Sequence, residues 1–317
     1  MATKVILDCD PGIDDALAIA FAYGHPGIQL VGITTVAGNV GLDRTTANAL
    51  AVCDFIGARV PVIEGCATPL VRPALDARKV HGESGLGGAV LPVPMSRRAE
   101  GHAVDFIVST VLDAPGEITL VATGPLTNIA LAVRREPRLV RSVRDFVIMG
   151  GSSGRGNTTP AAEYNMWADP EAAAAVFGAG WTVTMLGLDV TLRSGASAAV
   201  LERMSGMGAL GHELLLPALG GYRSSAVGGG QPVHDVCAVV HVAEPGLFGF
   251  VPALVSVETA GRLTSGMTVT DFEADDGNAR VAMTIDTSRF WELTLGTYAS
   301  LAAAMAEITR SPVPPTG

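Results

Sequence analysis

Short β-branched runs alternate along this chain with longer Ala- and Leu-rich segments whose apolar positions recur at helical spacing. Val5 to Leu7 precedes a helical segment from Asp14 to Tyr23, and Leu30 to Val36 precedes one from Arg44 to Ile56. The pattern resumes with Ile118 to Ala122 before Leu126 to Arg135, then with Asp145 to Met149, Glu171 to Phe177 and Thr182 to Leu188. Such alternation predicts βαβ units, with at least five strands in one sheet. The runs are apolar at both parities, as expected where helices cover both faces of a parallel sheet. The predicted fold is therefore α/β, a three-layer αβα sandwich around a mostly parallel sheet. From Val251 to Asp286 the strand-like runs crowd together, at Leu254 to Val257, Met267 to Val269 and Arg280 to Ile285, before a last helix near Trp291 to Thr309. They predict a small β-rich C-terminal extension. No repeat or linker divides the chain, so residues 1–317 read as a single domain.

In such sheets ligands bind beyond the carboxyl ends of the strands, and that rule selects the loops to read. They are Asp8 to Asp15, Thr35 to Asn39, Thr123-Gly124 and Gly150 to Trp167, each polar or glycine-rich and each following a strand run. The Pro- and Gly-rich segment from Glu64 to Gly101 is long enough to form a flap over them.

Charge narrows the partners. With 31 acidic against 21 basic side chains, a formal charge of -10 and a pI near 5.0, the surface does not suit nucleic acid. A small molecule fits better. The chain is 48% hydrophobic and 16% charged, enough apolar content for a large core. The longest uncharged stretch, Ala172 to Leu188, is broken by Gly178 and Gly180, so no membrane span is expected. Cys9, Cys53, Cys66 and Cys237 form no CxxC pair, and Met1 to Lys4 leads directly into the first strand run; a cytoplasmic protein is expected.

The chemistry concentrates in Asp8-Cys9-Asp10-Pro11-Gly12-Ile13-Asp14-Asp15. One aspartate entering a helix is an ordinary cap, but four like charges crowd only where a cation or a hydroxyl network rewards them. Oxygen ligands without His or Cys favour Ca²⁺ or Mg²⁺ over zinc. Pro11-Gly12 turns the chain, so Asp10 ends the strand while Asp14 and Asp15 enter the helix about 100° apart, with different jobs. His234-Asp235, after Gly228-Gly229-Gly230-Gln231-Pro232, offers a titratable ring and another carboxylate; alone it is equally a capping pair. Asn157 and Glu163-Tyr164-Asn165 carry amides and a carboxylate suited to adjacent sugar hydroxyls.

Together with Val121-Ala122-Thr123-Gly124-Pro125-Leu126-Thr127-Asn128, these segments resemble, in order, the motifs of the inosine-uridine type nucleoside hydrolases. The resemblance implies a Rossmann-like sheet and a Ca²⁺-dependent N-ribohydrolase of purine and pyrimidine salvage, a homodimer or homotetramer, splitting ribonucleosides into ribose and base. It implies one Ca²⁺ held by Asp10, Asp15, the Thr123 carbonyl and Asp235. Asp10 would also be the general base towards a calcium-held water, and His234 the acid that protonates the leaving base near neutral pH. Asp14, Asn39 and Asn165 would contact ribose hydroxyls, Asn157 and Glu163 the 5′-hydroxyl, and Met149 the sugar's other face. His81, on the flap, and Tyr222 would meet the base. The flap lacks the tryptophan of purine-specific members, which points to a broader substrate range, while Gly206 to Gln231 follows no subgroup pattern. Asp8 is left as a buried support.

Two other readings remain open at this point. Asp8-x-Asp10 after a first strand also resembles the nucleophile motif of haloacid-dehalogenase-type phosphatases. A non-catalytic nucleoside-binding or sensing protein is the second, since a fold does not guarantee turnover.

Overall fold

The β-branched runs pair as strands because, flanked by helices, they bury both faces. The computed structural model describes residues 2–221, 227 and 229–310. In chain order the elements are β1 (Thr3–Cys9), α1 (Ile13–Gly24), β2 (Ile28–Thr35), α2 (Leu42–Ile56), β3 (Val62–Glu64), α3 (Arg78–His81), α4 (Ala103–Asp113), β4 (Ile118–Ala122) and α5 (Thr127–Arg135). There follow α6 (Leu139–Ser142), β5 (Asp145–Met149), α7 (Tyr164–Ala168), α8 (Pro170–Phe177), β6 (Val183–Leu186), α9 (Leu188–Thr191), β7 (Gly195–Ala196), α10 (Ala198–Ser205) and α11 (Leu216–Gly221). The last are β8 (Gln231–Pro232), α12 (His234–Ala243), β9 (Phe248–Val257), β10 (Thr268–Asp271), β11 (Ala279–Ile285) and α13 (Thr287–Arg310).

Nine strands form one sheet in the order β10-β9-β11-β6-β5-β4-β1-β2-β3. The pairs from β3 across to β11 are parallel, and the antiparallel β9 and β10 extend that edge. The expected α/β architecture and its C-terminal extension are both present. The chain winds outward from β1 to β3 and then returns to wind the other way from β4, so the order reverses between β1 and β4. A crevice opens at such a reversal, at the carboxyl ends of both strands.

Alternation in β1 assigns each residue to a layer. Val5, Leu7 and Cys9 join the core under α1, α2 and α12, whereas Ile6 joins the opposite core with Leu120, Ala122 and Ile129. Asp8 shares the parity of Ile6. Its Oδ1 accepts from Thr34 Oγ1 at 2.5 Å and from Nδ2 of Asn128, on α5, at 2.8 Å. Asp8 therefore ties β1 to β2 and α5. Asn128 extends the tie, since its Oδ1 accepts from Cys66 N–H at the root of the flap.

No helix among the described residues is long and apolar enough to cross a membrane.

Candidate active site

Asp10 lies one residue beyond β1, and Asp14 and Asp15 occupy the first turn of α1. α12 packs against α1 and brings Asp235 in its own first turn to the same point. One carboxylate oxygen from each of Asp14, Asp15 and Asp235 lies within 4.8 Å of the others. Two helix N-termini thus face one acidic cluster, and their positive ends favour the charge. The backbone N–H groups of His234 and Asp235 point at the Asp14 carboxylate.

Asp15 caps its own helix as well, because its Oδ2 accepts from Gly12 N–H at 2.9 Å. The same oxygen accepts from Asn39 Nδ2 at 3.1 Å, and Oδ1 from Thr123 Oγ1 at 3.0 Å. Asp10 Oδ2 accepts from Asn39 N–H at 2.7 Å, whereas its buried Oδ1 has no hydrogen-bond partner among the described residues. A buried carboxylate oxygen without a donor is costly unless a cation answers it.

Burial raises all four groups, and neighbouring charge adds to it at Asp10, Asp14 and Asp235. Asp10 and Asp235 stand well above the ordinary carboxylate range, Asp15 is raised, and Asp14 is pushed up to about 7, with the Asp15 charge its second cause. A hard divalent cation would relieve both causes, and the all-oxygen donor set suits one. The residues present therefore fit a metal site. Asp14, expected at the ribose, shares this group with Asp15 and Asp235.

Around the cluster lies a cavity of about 490 Å³, lined among others by Asp14, Asn39, Met149, Asn165, His234 and Asp235. Asn165 turns its amide nitrogen to the carbonyls of Thr123 (2.7 Å) and Met149 (3.1 Å), which leaves Oδ1 as the group it offers a ligand. Glu163, at the cavity wall, caps α7, and its carboxylate also accepts from Gly151 N–H at 2.9 Å. Burial pushes it up to about 7 despite those bonds. Asn157 lies at the rim, its Oδ1 accepting from Tyr164 N–H at 3.0 Å. Tyr222 lies outside the described residues.

The flap residues Asp76 to His81 cover one side of the cavity. Ala77 N–H donates to the Asn39 carbonyl at 3.0 Å, and Asn48 Nδ2 donates to both Pro11 and Ser84 carbonyls at 2.9 Å. His81 Nδ1 accepts from Ile13 N–H at 3.2 Å, so its proton sits on Nε2. Gly12 permits this approach: a Cβ there would come within 2.5 Å of His81 Nδ1 and 2.6 Å of Asn39 Nδ2. His81 and His234 both line the cavity, and burial lowers them to about 3 and about 4. Burial therefore disfavours the charged form of His234, the group expected to serve as acid near neutral pH.

Sequence reasoning missed Lys79, Val80, Thr158 and Trp167, which also line the cavity. Trp167 follows Asn165 closely in sequence, but nothing in its local pattern distinguishes it from a core aromatic.

The sequence profile described as inosine-uridine preferring nucleoside hydrolase matches residues 5–292. The chain belongs to that family. It is a nucleoside hydrolase, and membership removes the phosphatase reading. It is 43% identical over 307 residues to the inosine-uridine preferring nucleoside hydrolase of Leishmania major, covering 93% of this chain and 97% of that protein. It is 46% identical over 293 residues to the non-specific ribonucleoside hydrolase RihC of Klebsiella pneumoniae, covering 92% and 96%. Among solved structures, the purine-preferring ribonucleoside hydrolase from Gardnerella vaginalis superposes with a TM-score of 0.89 at 31% identity, over 95% of this chain and 100% of that one.

Proposed function

We propose that this nucleoside hydrolase is a Ca²⁺-dependent enzyme that cleaves both purine and pyrimidine ribonucleosides to ribose and free base. One observation carries the reading: Asp14, Asp15 and Asp235 converge at the sheet's reversal point beside a cavity of about 490 Å³, with Asp10 close enough to feel the Asp15 and Asp14 charges. Breadth is supported by relatives at similar identity whose names span inosine-uridine preferring and non-specific enzymes. Asp10, Asp15, Asp235 and the Thr123 carbonyl would hold the ion, with Asp14 at its edge. A bound Ca²⁺ supplies positive charge that acidifies water and orients hydroxyl groups.

The remaining work falls to side chains. Asp10 takes a proton from the attacking water as its oxygen bonds to the anomeric carbon. The C–N bond breaks, and its electron pair leaves with the base. The sugar passes through an oxocarbenium-like state, which the surrounding carboxylates and the Asn165 amide oxygen stabilise. Asp14, Asn39 and Asn165 hold ribose hydroxyls, Asn157 and Glu163 hold the 5′-hydroxyl, and Met149 packs on the ring. His234 is neutral, so it serves as an N–H donor to the charge gathering on the departing base, with His81 beside it. The base completes itself with a proton from solvent.

The proposal treats residues 1–317 as one domain, because β11, from the C-terminal part, pairs directly with β6 of the parallel sheet. It also retains a cytoplasmic homodimer or homotetramer acting in nucleoside salvage.

Incubation with inosine and uridine, with and without a chelator, should release ribose from both and lose that activity when chelated. Nucleoside bound without ribose released would favour the binding-protein alternative, and a strict preference in kcat/KM for purines would remove the breadth. His234→Ala should slow inosine by about 10² while leaving nitrophenyl riboside, whose leaving group is activated, much less affected. Equal losses would remove His234 from leaving-group assistance.

A further inference from the structure

Thr191 ends α9, immediately after β6, and lies fully buried beneath the cavity with its Oγ1 2.7 Å from Nδ1 of His234. A hydroxyl buried this deeply needs an acceptor for its proton. Threonines in helices commonly find one in the carbonyl a turn earlier, as Thr294 does with Phe290. Among the described residues the Thr191 hydroxyl makes no such bond, and His234 Nδ1 is the acceptor within reach. The opposite polarity, with Nδ1–H donating to Oγ1, would strand the hydroxyl proton in a dry interior.

We infer that Thr191 is a positioning residue for His234, whose hydroxyl donates to Nδ1 and fixes the ring as the Nε2–H tautomer, aiming an N–H donor at the leaving base. The inference rests on the proposed role of His234 above.

The surrounding chain is built to hold this pair. Ser194 donates to the Thr191 carbonyl through both N–H (3.1 Å) and Oγ (2.7 Å), and the same Oγ accepts from Val233 N–H at 3.1 Å. Val233 directly precedes His234. Beside them β7 and β8 pair Gly195 with Pro232 and Ala196 with Gln231, so a two-residue ladder clamps the segment after Thr191 to the segment before His234. Gly230 enters that ladder at φ +81, and a Cβ there would run into the Ala196 carbonyl. This accounts for the glycine at position 230. The arrangement repeats that of His81, whose Nδ1 also accepts a hydrogen bond. Both rings thereby carry their proton on Nε2.

Two measurements test it. In the holoenzyme with Ca²⁺, Thr191→Val, which keeps the shape and removes the hydroxyl, should lower kcat for inosine about 10-fold with little change in KM or in nitrophenyl riboside cleavage. Thr191→Ser should restore inosine turnover. Equal losses on the two substrates, or none on inosine, would overturn the positioning role. Independently, ¹⁵N-histidine NMR of the wild-type protein, with the His234 signals assigned by their loss in His234→Ala, should show Nδ1 unprotonated and Nε2 protonated. A protonated Nδ1 overturns the inference even if Thr191→Val fails to fold. Should the wild type release no ribose from either substrate, the functional reading fails, while the NMR result still decides the tautomer.

Discussion

Asp10→Ala should abolish ribose release while the protein still binds nucleoside. Among the described residues the Oδ1 of Asp10 is buried without a donor, while its other oxygen is pinned by Asn39 N–H at 2.7 Å. Its walls are two glycines: a Cβ on Gly38 would run into Oδ2, and one on Gly124 would sit 2.8 Å from Oδ1. A side chain on either glycine would therefore displace the Asp10 carboxylate. Losing a general base typically costs about 10² to 10⁴ in rate, and losing an ion contact adds to that. Asp10→Asn separates the two effects, because it keeps the size and the Asn39 contact yet cannot accept a proton from water. The expected result is a fall in kcat of at least about 10² for both variants, with inosine binding by calorimetry weakened far less. Full turnover in Asp10→Ala would remove Asp10 from the mechanism, and loss of binding equal to the loss of kcat would make it a ligand only.

The sheet was legible because its strands announce themselves in composition. Ile118–Ala122 and Asp145–Met149 run as expected, since a doubly covered strand is an unbroken apolar run bounded by polar turns. β9 is longer than expected, beginning at Phe248, because Gly249 and Pro252 disguise its first half. Proline removes a ladder donor, which an antiparallel strand near the sheet's edge tolerates. α2 begins at Leu42, ahead of Arg44, since its cap is Gly41 and carries no side-chain signal. The pairs β7–β8 and β3 are too short for any periodicity to register.

The acidic cluster was legible for a different reason, namely that like charges at short spacing are unfavourable unless something compensates. What spacing cannot express is which layer or partner a side chain meets. Asp8 and Asp10 differ by two positions, yet Asp8 is bonded to Thr34 and Asn128 while Asp10 joins the cavity loop. Capping and membership of the acidic cluster, opposed as alternatives in the sequence, coexist in Asp15, whose Oδ2 caps α1 while Oδ1 accepts from Thr123 Oγ1. Thr191 left no trace at all, because it reaches His234 across 43 positions through tertiary packing of α9 on α12.

Chelation should destabilise the protein most at alkaline pH. Asp14 is raised to about 7, and Asp10, Asp15 and Asp235 are raised with it, burial acting first in each and neighbouring charge second at Asp10, Asp14 and Asp235. A carboxyl whose folded pKa exceeds its unfolded value binds more protons in the folded state between those two values. Stability then falls as pH rises through that window, from about 4 to 7 and beyond, and the whole penalty is present above it. A divalent cation reverses the sign, because it binds the ionised cluster of the folded chain and must compete with protons at low pH. Calcium at about 100 times its Kd would contribute about 2.7 kcal/mol, or a rise in Tm of about 5 °C for a chain of this size. Thermal scans should therefore show the chelated protein melting lower at pH 8 than at pH 5, with added calcium restoring several degrees at pH 8 and much less at pH 5. Magnesium, smaller and more reluctant to shed water, should restore less in a site of four protein oxygens. A calcium shift larger at pH 5 than at pH 8, or none at either, would contradict a cation in the cluster of Asp14, Asp15 and Asp235. Asp235→Asn offers the internal control: with one raised carboxyl removed, the chelated protein should lose less stability between pH 5 and pH 8, and calcium should restore less of it.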